Sequence, residues 1–328
     1  PWGMEEKMNN KKKFSILNLP TEYMMLVVLV VICIALCIAR PAFYSSFNVS
    51  TLIRTISWTT IVAFGQTLVL LTGGIDLSVA GMAGMSGILS AWFMVNAGIS
   101  PVIVIPCILV LAYACGCLNG ILITKIKMIP FIVTLATGQI FTGIIYVITQ
   151  GHPILDIPES AVQLGRGMLF GVIPFPTIAM IVFCIVLAYV MRYTPFGRNV
   201  YAVGGNEEAA RIAGIKTDNV TINVYGISAV MASIGGILIT CRLGTAQPTV
   251  GSDWVMPSVT AAAIGGTSLS GGRGSILGAL IGGCFMGVVQ NAITILAISA
   301  YWEQVITGAI ILIAIAVDCV KSKRLNAA

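Results

Sequence analysis

Few side chains in this sequence could do chemistry, and most of those are neutral. One carboxylate, Asp76, is flanked closely by apolar sequence on both sides, in Thr72-Gly73-Gly74-Ile75-Asp76-Leu77-Ser78-Val79. An acid there can accept hydrogen bonds from the free amides of a half-helix starting at Leu77 and suit its dipole. It can also hold a proton or a cation. One lone acid gives thin support for ion coupling, so the cap is the favoured reading. The single histidine, His152, lies beside Pro153 in a polar loop and reads as surface. The nine cysteines lie mostly in apolar runs, and Cys115-Gly-Cys117 has neither zinc nor redox spacing. No metal site is expected. No Ser/His pair or HExxH-like pattern falls in an apolar run, which argues against an intramembrane enzyme. No Gly-x-x-x-x-Gly-Lys-Ser/Thr motif occurs, so this chain is not expected to hydrolyse ATP.

What remains is a set of amides and hydroxyls inside apolar runs. Gln139, Thr142, Tyr146 and Thr149 fall on one helical stripe, and Gln290, Asn291 and Thr294 form a second cluster. Gln66 and Asn119 are single amides, and Ser78 closes the Asp76 motif. Polar groups within membrane spans are costly and face protein or water. They can line a pathway for an uncharged, hydroxylated solute, or they can bond helix to helix.

The elements that position these groups follow from composition. The chain is 57% hydrophobic and 9% charged, against about 25% charged in a soluble domain. It is an all-α, polytopic membrane protein. The net charge of +6 is spread over short loops and tails and does not point to nucleic acid. About ten spans can be marked, at 23–39, 54–72, 77–96, 101–124, 129–149, 174–192, 221–241, 254–268, 275–298 and 301–320. The eighth is short, as a discontinuous helix would be.

Lys7, Lys11, Lys12 and Lys13 place the N-terminus in the cytoplasm. Alternation then brings Lys125, Lys127, Arg192, Arg198, Arg211, Lys216, Arg273 and the tail Lys321, Lys323 and Arg324 to the same side, and leaves Arg40, Arg54, Arg166 and Arg242 outside. Both termini are therefore expected inside. Residues 1–20 read as a vector-derived remnant, Pro1-Trp2-Gly3, followed by a basic tail; 21–320 form the membrane domain and 321–328 a second tail.

Two paired glycines punctuate the spans. Gly73-Gly74 and Gly265-Gly266 both open the pattern Gly-Gly-x-x-Leu-Ser, offset by 192 residues. Paired glycines beside polar residues break helices, so both are expected as broken-helix junctions in an internal repeat. The longest cytoplasmic connection, 193–220, carries a short helix. Asn206 is its N-cap, Glu207 and Glu208 fill the first turn, Ala209, Ala210 and Arg211 follow, and Gly214 stops it. Two turns are not stable alone in water. Such a helix needs something to pack on, either its own bundle or a soluble partner.

These segments resemble a known family. Thr72-Gly-Gly-Ile-Asp-Leu-Ser78, Phe196-Gly-Arg-Asn-Val-Tyr-Ala-Val-Gly-Gly-Asn206, Ala246-Gln-Pro248 and Gly265-Gly-Thr-Ser-Leu-Ser-Gly-Gly-Arg-Gly274 look like the ribose-type permeases of ABC sugar importers. The resemblance covers nearly all of 21–320. It implies a dimer of permeases, homo- or heterodimeric, in a bacterial cytoplasmic membrane. It implies cytoplasmic ATPase subunits holding ATP and Mg, and an extracytoplasmic substrate-binding protein meeting loops 150–173 and 242–253. It further implies that Glu207–Gly214, with Arg198 and Gly205 nearby, is the coupling segment. Glu208-Ala209-Ala210 with Gly214 is similar to the Glu-Ala-Ala loop of importer permeases, in a shortened form. A charged replacement such as Ala210→Glu is then expected to abolish transport while sparing insertion. The solute is expected to be a pentose or hexose; autoinducer-2 and nucleosides also suit a neutral path. An ion-coupled secondary transporter would need more ionisable residues in the spans than Asp76.

Overall fold

The computed structural model describes residues 21–299 and helical positions between 302 and 313. The tails 1–20 and 321–328, and most of the span expected at 301–320, lie outside the described residues. The other nine expected spans are helices: α1 (Thr21–Ala39), α2 (Ser46–Leu71), α3 (Val79–Val95), α4 (Pro101–Thr124), α5 (Pro130–Thr149), α7 (Phe175–Tyr193), α10 (Thr217–Leu243), α11 (Val255–Ile264) and α12 (Ile276–Ile295). Three short helices join them, α6 (Glu159–Arg166), α8 (Pro195–Gly205) and α9 (Glu207–Ile212). The one sheet among the described residues is a ribbon of β1 (Met168–Leu169) and β2 (Ile173–Pro174). Among the described residues, five helices are long and apolar enough to cross a membrane, α4, α5, α7, α10 and α12. Prolines in the first turn open α4, α5, α7 and α8, where a missing amide costs nothing.

The helices divide into a centre and a rim. In α10, 78% of the apolar window is buried, against 22% in α4. α2 is buried from Ile56 to Leu71 apart from Thr59. It is 26 residues long, about 39 Å at the helical rise. Lipid does not drive apolar faces together, so central helices need close backbones. A methyl on Gly65 of α2 would lie 2.9 Å from the Ser228 Cα of α10. The rim helices turn Val102, Val110, Val147 and Ile185 outward.

At the bundle end marked by Lys125, α8 and α9 bridge α7 to α10. The opposite end carries α6, the ribbon and the turn-rich segment before α11. Here the arginines that run against the general charge bias have a local purpose. Arg54 donates to the Gly165 and Arg166 carbonyls at the end of α6, at 2.8 and 3.0 Å. Arg166 donates to the Arg242 and Leu243 carbonyls at the end of α10, at 2.7 and 2.8 Å. Both bind carbonyls with no partner inside the helix, where a positive charge also suits the dipole. Arg242 stacks over the Trp58 ring, 5.0 Å from its centroid.

The eighth span is discontinuous, as its length suggested. α11 has ten residues, and the chain reaches it through a run of turns over 244–254 that packs against α3. A methyl on Gly84 would lie 2.8 Å from the Val250 carbonyl oxygen, and one on Gly251 would lie 2.9 Å from the Ala80 oxygen. Irregular backbone is tolerated there because one side packs on α3 and the other lines an open cavity.

Both glycine pairs end helices by the same device. After α2, Gly73 has φ +80°, Gly73 N–H bonds to Leu70 O and Gly74 N–H to Val69 O. After α11, Gly266 has φ +91°, Gly266 N–H bonds to Ala263 O and Thr267 N–H to Ala262 O. This is a left-handed glycine terminator used twice. The structural correspondence is Gly73 with Gly266, one residue off the Gly73–Gly265 match in sequence. The first break returns to helix at Val79, whereas the second makes a longer loop before Ile276.

Candidate functional site

Two groups of polar side chains emerge where the sequence suggested one. The first is open. Halfway along α5, Gln139 and Tyr146 are exposed and Thr142 is half-buried. They line a cavity of about 420 Å³ between α3, α5 and the turn-rich segment before α11, with Thr249 and Ser252 on its far wall. That volume lies within the roughly 300–1,000 Å³ of small-molecule pockets. No charged side chain lines it. Thr149, the fourth member of the predicted stripe, is buried and returns its hydroxyl to Ile145 O at 2.8 Å.

The second group is closed. Gln66, Asp76, Ser78 and Asn119 are each at most 1% exposed and none lines the cavity. Asp76 Oδ1 accepts from Ser78 N at 2.9 Å and Ser78 Oγ at 2.6 Å, and Oδ2 accepts from Ser228 Oγ at 2.9 Å. Asn119 Nδ2 donates to Ser78 Oγ at 3.1 Å. With its amide oriented to satisfy both partners, Gln66 donates to Asp76 O at 3.1 Å and accepts from Asp76 N at 3.2 Å. Asp76 does accept an amide at the head of the half-helix, but that helix begins two residues later than expected. α3 starts at Val79 with Ser78 as N-cap. The carboxylate accepts the amide ahead of that helix, and its other oxygen is tied to α10. The network joins α2, α4 and α10 around the first break. Both Asp76 carboxylate oxygens are partnered, whereas Asn119 Oδ1 in the same network has no hydrogen-bond partner among the described residues.

Asn291 also bonds helix to helix. It exchanges two hydrogen bonds with Asn48, at 2.8 and 3.1 Å. Gln290 is half-buried and Thr294 returns its hydroxyl to Gln290 O. None of these three lines the cavity. Among the described residues no group of three or more His, Cys, Asp or Glu side chains could hold a metal ion.

The segment 193–220 holds two helices. Sequence reasoning found α9 and missed α8, although Thr194 before Pro195 was a readable start signal: its hydroxyl accepts from Gly197 N. α9 forms as expected. Asn206 Oδ1 accepts from Ala209 N at 2.9 Å, Gly214 has φ +86°, and Ile215 N–H returns to Ala210 O. Its faces are unlike. Ala210 is 5% exposed and packs into the bundle, whereas Ile212 is 85% exposed. Ala210→Glu would therefore disturb how α9 sits on its own bundle, not a surface offered to a partner. Arg198, Gly205, Glu207, Glu208, Ala209, Arg211 and Gly214 are exposed. Arg211 pairs with Glu207 at 2.7 Å, and Lys125 reaches Asp218 at 2.6 Å, joining α4 to α10.

Thr249 and Ser252 were not picked out from sequence. The signal was there: a span too short to cross, preceded by Gln247-Pro248-Thr249 where a loop was expected. Ser228 was missed because a lone hydroxyl in an apolar run carries no pattern.

A bundle of apolar helices, a discontinuous span and an uncharged cavity halfway along it define a multi-pass membrane permease rather than an enzyme. The chain belongs to the family described as branched-chain amino acid transport system / permease component, which matches residues 48–315. It is 40% identical to the ribose import permease protein of Bacillus subtilis (strain 168), over 90% of this chain and 91% of that one. The Haemophilus influenzae ribose import permease protein is 33% identical over 94% and 97% of the two chains. The L-arabinose transport system permease protein of Escherichia coli (strain K12) is 36% identical over 95% of each. No solved structure matches.

Proposed function

We propose that this chain is the permease subunit of a binding-protein-dependent ABC importer that carries a monosaccharide across a bacterial cytoplasmic membrane. The observation that carries the proposal is the cavity beside Gln139, Thr142 and Tyr146. It offers amides and hydroxyls and no charged side chain. A free amino acid would leave its ammonium and carboxylate unpaired there, at a high desolvation cost. A neutral polyol meets donors and acceptors of its own kind. Relatives named for ribose and arabinose support the same class.

Gln139 and Tyr146 are exposed on a helix whose remaining outward side chains are apolar. A second permease copy facing α5 gives them a protein or water surface instead of lipid, and the path then runs between the two copies. The basic end with Lys125, Arg192 and Lys216 faces the cytoplasm, with both termini on that side. The ATPase subunit, which holds ATP and Mg, takes α9, with Ile212 as its apolar anchor. The binding protein meets the opposite end. ATP-driven movement of α9 then exposes the path to each side in turn.

The test is uptake into proteoliposomes holding this chain, its ATPase and its binding protein. Labelled ribose, arabinose, allose and leucine are offered with and without ATP. ATP-dependent uptake of one of the sugars, with none of leucine, is expected. Uptake by this chain alone on a proton gradient would overturn the assignment.

A further inference from the structure

We propose that Gly204 is a positioning residue that passes movement of α9 to both helix breaks. The inference rests on α9 as the ATPase-binding element. α8 ends in Gly204-Gly205, one residue before α9, and that end is pressed against two other backbones. A methyl on Gly204 would overlap the Leu71 carbonyl oxygen and lie 2.6 Å from Gly272 N. Leu71 is the last residue of α2, and its carbonyl accepts the Gly272 N–H at 2.9 Å. That hydrogen bond ties the break after α2 to the loop before α12. Gly204 rests on both of its ends. Gly271 closes the same junction, since a methyl there would lie 2.8 Å from Gly204 O and 3.1 Å from Gly73 N. Tyr201, one turn earlier on α8, adds a side-chain link by donating to Gly274 O at 2.9 Å.

Three chain segments thus meet backbone to backbone, with no side chain between them to deform. Close-packed backbone transmits displacement because it cannot yield. A push on α9 reaches α8 across the single Asn206 linker. It then moves Leu71 and Gly272 together, and with them the start of α3 that lines the cavity.

The experiment uses the full complex in proteoliposomes and reads sugar moved per ATP hydrolysed, ATPase co-purification and thermal midpoint. Gly204→Ala is expected to keep the ATPase bound and to lower sugar per ATP at least tenfold. Tyr201→Phe, which adds no bulk, is expected to lower sugar per ATP about threefold, on the scale of one net hydrogen bond. A purely structural role would move the midpoint and leave the ratio unchanged. Parental sugar per ATP in Gly204→Ala overturns the proposal. If Gly204→Ala does not fold, a parental ratio in Tyr201→Phe overturns it. Ile212→Glu separates the two readings. If it leaves the ATPase bound, the α9 assignment fails, whatever Gly204 does.

Discussion

The buried network around Asp76 and the cavity beside Gln139 are built from the same kinds of side chain and do different work. Around Asp76 every carboxylate oxygen has a protein donor and nothing is exposed. Around Gln139 the amide faces open space. Both sit on apolar helices and both would register as polar residues in apolar runs. Burial alone separates them. The first trades polar groups for a fixed packing of α2, α4 and α10 around a break; the second leaves them free for a solute.

This contrast predicts a split between stability and transport. Asp76→Leu has the largest expected effect. It orphans the Ser228 hydroxyl and the Ser78 hydroxyl and N–H, at about 1–3 kcal/mol per buried group, and should lower thermal stability in detergent and cellular abundance together. Gln139→Trp should do the reverse. It fills the cavity from an exposed position, so uptake is expected to fall more than tenfold while the thermal midpoint is unchanged. Asn291→Leu removes the interhelical pair with Asn48 and is expected to cost about 1 kcal/mol of stability with parental uptake, which would place it with the closed group. Thr142→Val is the finest probe. Its hydroxyl is already returned to Gly138 O at 2.9 Å, so stability should hold while KM rises about two- to threefold, measured by initial uptake rates.

Much of the fold was legible because its cause is local. Apolar runs, first-turn prolines and the glycine stops at 73 and 214 mark helix ends wherever the bundle sends them. Helices α6 and α8 were less visible because they are short and carry no long apolar face. The site was half legible. A stripe such as Gln139-Thr142-Tyr146 specifies one side of a helix, and its neighbours in space decide whether that side meets a cavity or another helix. Thr149 fell to the packed side, and Asn291 met an amide 243 residues away. The repeat illustrates the same limit. Letters align Gly73 with Gly265, but the left-handed backbone position that ends each helix is at Gly73 and Gly266.

The most direct measurement is thiol labelling by a small hydrophilic maleimide, in a background with the native cysteines replaced. Single cysteines are placed at Gln139 and at Asn119 in the assembled importer. Labelling at 139 during ATP turnover, slowed by the transported sugar, with none at 119, is the predicted result. Equal labelling at both positions, or protection by sugar at 119 alone, would contradict the division of the polar residues into one open and one closed group.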